Sequence, residues 1–155
     1  MKKKIAALIS AFMLALGVGL FATTPAANSH SSSDFQAACT AKLGVQAYYH
    51  NALAWHANHT LYVYRNAGFT KFCALNVAVN GMHGVYHGIG VRIWNTGNVE
   101  GANTDVGTYA HYAGPVEKNN VTSGVTVQWW DPDANTICQF PVSQPGGGAV
   151  NCYTP

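Results

Sequence analysis

The chain has 155 residues with eight Lys or Arg, six Asp or Glu and seven His, for a formal net charge of +2. Three of the basic residues, Lys2, Lys3 and Lys4, stand ahead of an apolar run from Ile5 to Ala22, so the rest of the chain carries five basic against six acidic groups, a net of −1. No cationic stripe is left to neutralise phosphates, which argues against nucleic-acid binding, and no basic amphipathic helix is available to lie on a membrane surface.

The positive patch, the apolar run and the small residues of Thr23-Thr24-Pro25-Ala26-Ala27 have the layout of a secretory signal, cut near Ala26 or Ala27. Gly17 and Gly19 interrupt the run and no cationic stop-transfer cluster follows, so stable membrane insertion after cleavage is not expected. Residues 1–27 are therefore read as a signal helix, residues 28–34 as a polar tether and residues 35–155 as a single domain of ordinary size.

Within that domain a short helix is predicted near Phe35–Lys42, while Leu43 to Tyr49 is equally compatible with a first strand. Strand signals then become clear. Thr60–Arg65 alternates with aromatic and β-branched residues, Asn66-Ala67-Gly68 supplies a turn, and Phe69–Val79 resumes the alternation up to the turn dipeptide Asn80-Gly81. Val85–Trp94 reads as a strand whose Gly88 and Gly90 signal a bulge or a close approach. Turns are expected at residues 95–98 and 101–103, strands over Val106–Tyr112, Val121–Trp130 and Thr136–Val142, and a last short strand reaching Cys152. Gly114-Pro115 is expected to end the strand before it, because Pro cannot donate to a ladder. The series predicts an all-β fold, a small antiparallel sandwich with a barrel as the alternative.

Cys39, Cys73, Cys138 and Cys152 form an even set in an exported domain and read as a disulfide framework. Of the three pairings, Cys39–Cys73 and Cys138–Cys152 are favoured because each closes a short excursion. No Cys-x-x-Cys supports a zinc or redox centre.

Candidate chemistry is sparse. His83 and His87 are four apart, so in a regular strand they share a face but stand about 13 Å apart, too far for one ion. His56 or His59 would have to join them, and no metal or cofactor is assigned. Of the acids, Glu100, Asp105, Glu117, Asp131 and Asp133 fall in or beside predicted turns, which disfavours a paired-carboxylate hydrolase. No Gly-x-Ser-x-Gly elbow is present. Trp129-Trp130 ends an alternating strand, so one ring should face the core and its neighbour outward. Both are carried as candidate ligand-binding residues, since an exposed indole stacks on a sugar ring or a partner protein, and Trp55, Trp94, Tyr48, Tyr49, Tyr62 and Tyr64 would extend such a face.

The stretch Asp105–Val116, with its Gly-x-Tyr-x-x-Tyr-Ala-Gly-Pro-Val kernel, resembles the central signature of the spore-associated protein A family, small exported proteins of spore-forming filamentous bacteria. The placing of the four cysteines, with Lys71-Phe72-Cys73 and a terminal Asn151-Cys152, is similar to theirs, while Thr40-Ala41-Lys42 after Cys39 and the His-rich stretches depart from the pattern. The resemblance implies a non-catalytic protein associated with the spore or cell surface and supplies no catalytic residues. Three functions therefore stand at this point: adhesion, assembly or coat association, with a cell-wall or spore-surface component as partner; recognition of wall or extracellular carbohydrate; and a secreted hydrolase or toxin.

Overall fold

The computed structural model describes residues 30–54, 58–131, 135–143 and 147–155. The proposed signal over 1–27, Trp55, His56 and Asp133 lie outside the described residues. Among the described residues a helix, α1 (Ser32–Leu43), precedes nine strands: β1 (Tyr48–Ala54), β2 (His59–Arg65), β3 (Phe72–Ala78), β4 (His87–Asn95), β5 (Asn98–Tyr109), β6 (Tyr112–Lys118), β7 (Val125–Asp131), β8 (Thr136–Val142) and β9 (Asn151–Tyr153). They form two antiparallel sheets, ordered β1-β2-β3-β6 and β5-β4-β7-β8-β9. The fold is a β-sandwich, and among the described residues neither sheet closes into a barrel.

Alternation builds the core. Leu61 and Val63 of β2 and Phe72, Ala74 and Ala78 of β3 face Ile89, Val91 and Ile93 of β4, Val125, Val127 and Trp129 of β7, and Phe140 and Val142 of β8. Burying side chains of this size contributes roughly 1.5–3 kcal/mol each. Strand β3 is buried along its whole length, because its second face carries Cys73, Leu75 and Val77 beneath α1. Phe35, Cys39 and Leu43, four apart, form the apolar edge of that helix, and the Cys39–Cys73 disulfide bolts it to β3. Cys138–Cys152 ties β9 to β8, so both favoured pairings are present. Two disulfides mark a chain that folds in an oxidising, non-cytosolic environment. Among the described residues no helix is long and apolar enough to cross a membrane.

The structure corrects several sequence expectations. Residues 31–34 are not part of a tether: Ser31 is the N-cap of α1, and Asp34 Oδ2 accepts hydrogen bonds from Ser31 N (2.7 Å) and Ser31 Oγ (3.0 Å). Ser-x-x-Asp at a helix start satisfies otherwise orphaned donors, which is why a polar run becomes helical. Residues 101–103 do not turn but lie inside the 12-residue β5. Gly114-Pro115 does not end a strand either. It runs through β6 with a cis peptide, and the register against β3 shifts between Ala74 and Asn76, so a bulge absorbs the missing N–H. Gly114 has φ +99, and a Cβ there would meet Ala74 O at 2.7 Å, so glycine is required.

Because α1 has no strand partner and rests on β3 and β6 through one apolar edge, its attachment depends on the bridge that closes the Cys39–Cys73 separation of 34 residues. The Cys39→Ala/Cys73→Ala protein should lose about 3–4 kcal/mol in urea unfolding, the chain-entropy value for such a loop.

Candidate functional site

With α1 covering one sheet, the five-stranded sheet keeps a broad outer face among the described residues. Its residues follow from alternation and register. Trp129 points inward at 1% exposure, so the neighbouring Trp130 points out. Trp130 pairs with Gly90 on β4 and Ile137 on β8; Gly90 pairs with Val106 on β5, and Ile137 with Tyr153 on β9. One apolar row thus crosses all five strands: Val106, Gly90, Trp130, Ile137, Tyr153. The next outward row, two residues along, is Thr104, Arg92, Gln128, Gln139 and Asn151, every side chain of which carries a hydrogen-bonding group. Adjacent positions in a row are about 4.8 Å apart and the rows about 7 Å apart.

Two aromatic rings lie against this face. A Cβ built on Gly90 would come within 2.6 Å of Trp130 Cε3 and 2.8 Å of Val106 Cγ2, so the indole lies down over β4 in the space that Gly90 leaves. Tyr153 starts on β9, yet its hydroxyl accepts a hydrogen bond from Gln128 Nε2 on β7 at 2.9 Å, so its ring crosses β8. Val106 and Tyr153 are 59% and 45% exposed, and Trp130 is half-buried. The Arg92 guanidinium sits 5.4 Å from the Trp94 ring, a cation–π contact on the same face.

Trp129, carried from the sequence as a candidate ligand-binding residue, is removed by its burial in the core. Trp130 remains. Tyr153 was missed, although a tyrosine next to a disulfide on the last strand was a readable sign. Tyr64 is buried under α1, where its hydroxyl donates to Ser32 O at 3.0 Å and burial pushes its pKa up to about 12. Tyr48 and Tyr49 are exposed on β1, at the far edge of the other sheet.

A second concavity lies between β5 and β6: an open groove of about 740 Å³ lined by Lys42, Asn103, Asp105, Gly114, Val116 and Glu117. Glu100, Asp105 and Glu117, expected in or beside turns, sit within strands β5 and β6. Asp105 is engaged on both oxygens, accepting from Tyr109 Oη at 2.5 Å and from Gly114 N at 2.6 Å. The bond to Asp105 holds the Tyr109 phenol above its ordinary pKa. This carboxylate clamps the β5–β6 hairpin, so the Gly107–Val116 signature is a structural device: Tyr109 and Gly114 are the two groups the clamp holds.

The histidines divide differently from the sequence reading. His83 follows the short 3₁₀ turn Asn80–Met82 and His87 opens β4, and each meets another imidazole. His87 Nδ1–H donates to Val85 O at 2.7 Å, which leaves its Nε2 to accept from His59 Nε2 at 3.0 Å. His83 Nε2 lies 3.2 Å from His111 Nδ1. Among the described residues, no three His, Cys, Asp or Glu side chains already converge on one point as a metal centre.

His50 stands apart, its ring 6.0 Å from Phe72 and its Nε2 enclosed without a hydrogen-bond partner among the described residues. Burial first, and then the Arg65 charge, lower its pKa below the ordinary 6.5. Below that value the unfolded chain takes up a proton that the folded site resists, so stability is present above about pH 6.5 and falls as pH drops toward the folded pKa. Urea midpoints should therefore decline from pH 7.5 to pH 5, and His50→Gln should flatten that decline.

No protein-family model, curated protein or solved structure matches this chain.

Proposed function

We propose that this is a non-catalytic exported protein of the cell or spore surface, and that it attaches by binding a wall or extracellular polysaccharide on the outer face of its five-stranded sheet. The observation that carries the reading is the pair of rows across that face. Trp130 and Tyr153 offer flat apolar rings, Tyr153 held by the buried Gln128, and Arg92, Gln139 and Asn151 offer donors and acceptors about 7 Å away. Sugar rings present an apolar face and an equatorial fringe of hydroxyls, so a polymer laid across the strands meets both kinds of group at once. An open face suits a polymer better than a small ligand, which favours an enclosing pocket.

Export is supported by the two disulfides and by the signal-like N-terminus. The resemblance to the spore-associated protein A family supports the surface location. The hydrolase reading is weakened because the groove acid Asp105 is already committed to Tyr109 and Gly114.

Purified protein should co-sediment saturably with insoluble peptidoglycan, chitin or spore coats. Trp130→Ala should abolish sedimentation while leaving the urea midpoint close to wild type, since the indole lies outside the core. Gly90→Ala, which displaces the ring without removing it, should weaken binding. Recovery on spores without binding to any polysaccharide would leave coat assembly as the function and overturn the glycan part of the reading.

A further inference from the structure

Five of the seven histidines gather at one end of the sandwich. His59 pairs with Ala78 at the end of β3, and Ala78 N donates to His111 O at 2.8 Å. His111 occupies the β5–β6 turn, and Gly84, next to His83, donates to Ala110 O in the same turn. His30, just before the Ser31 N-cap, lies against this group: its ring centroid is 5.2 Å from His111 and 6.1 Å from His83, while His83 and His111 are 4.5 Å apart.

We propose that His30, His83 and His111 form a site for a divalent transition metal of the zinc or copper class. The His83 Nε2 to His111 Nδ1 distance of 3.2 Å is close to the roughly 3.3 Å between two nitrogens on one tetrahedral ion with 2.0–2.1 Å bonds. Three imidazoles on such an ion have ring centroids on the order of 5 Å apart, and the three observed separations bracket that value. Imidazole nitrogen is the donor these metals prefer.

His30 must turn to complete the set. Among the described residues its ring packs against Phe35, His83, His111 and Tyr112 and interacts electrostatically with the Asp34 carboxylate, with no hydrogen bond to break. The ion would then clamp the segment preceding α1 onto the β5–β6 turn. The three histidines are separate from the side chains assigned to polysaccharide, and the site does not depend on that assignment.

The test is calorimetric titration of untagged, EDTA-stripped protein with ZnCl₂ alone, and separately with CuSO₄, at pH 7.5. One equivalent should bind saturably and raise the melting temperature of the wild type, and binding should weaken at pH 5.5 as protons compete for the imidazoles. His83→Gln, His111→Gln and His30→Gln should each weaken it by more than about tenfold, the loss that even an outer-shell change causes. His50→Gln, with its ring on Phe69 and Phe72, should leave it unchanged. Absence of saturable uptake by the wild type overturns the proposal whatever the variants do. So does uptake that survives His83→Gln, or that is unaffected by His30→Gln; either result leaves His83 and His111 as a hydrogen-bonded pair only.

Discussion

A single buried amide fixes how the two sheets meet. Asn76, fully enclosed on β3, donates through Nδ2 to Gly90 O at 3.1 Å and to Trp130 O at 2.9 Å. Gly90 and Trp130 face each other in the β4–β7 ladder, so the amide holds the four-stranded sheet against that one rung. Leaving such a group unsatisfied costs about 1–3 kcal/mol, and its Oδ1 already lacks a partner among the described residues. A slide of one sheet over the other would forfeit the two remaining bonds. The same rung carries the Trp130 indole on its opposite side, over the hydrogen of Gly90. Core registration and the outer aromatic platform are therefore two faces of one constraint.

That constraint explains why the two sheets differ outside. The four-stranded sheet spends its second face on α1, bolted down through Cys39–Cys73 and packed by Phe35 and Leu43. Among the described residues no helix lies over the five-stranded sheet, and its outer rows retain aromatic rings beside amides and a guanidinium. Polar groups on an open sheet face are ordinary. Two rings laid flat and aligned with a hydrogen-bonding row across five strands are a shaped surface.

Much of this was legible in the sequence. Period-two alternation located most strands, and loop length identified both disulfides. Alternation also required Trp129 and Trp130 to face opposite ways. What it could not supply was pairing. Gly90 read as a bulge or a close approach, and only the β4–β7 register shows that an indole fills its space. Pro115 read as a strand terminator because a bulge opposite Leu75 has no signature of its own in the sequence. The Ser31–Asp34 cap was hidden in a run of polar residues that resembles a tether. The histidine pairs, 28 residues apart in each case, were invisible to local spacing: His83 and His87 stand on either side of a strand start and leave toward different partners.

The central claim is that the outer face of the five-stranded sheet is the recognition surface. It is tested most directly by following the backbone amide and indole resonances of the protein during titration with soluble peptidoglycan fragments and chito-oligosaccharides. The account predicts saturable shifts centred on the Trp130 indole and on Gly90, Gln128, Gln139 and Tyr153, with the residues of α1 and β1 unmoved. Shifts confined to α1, β1 or the β5–β6 groove, or none with any fragment, would contradict it.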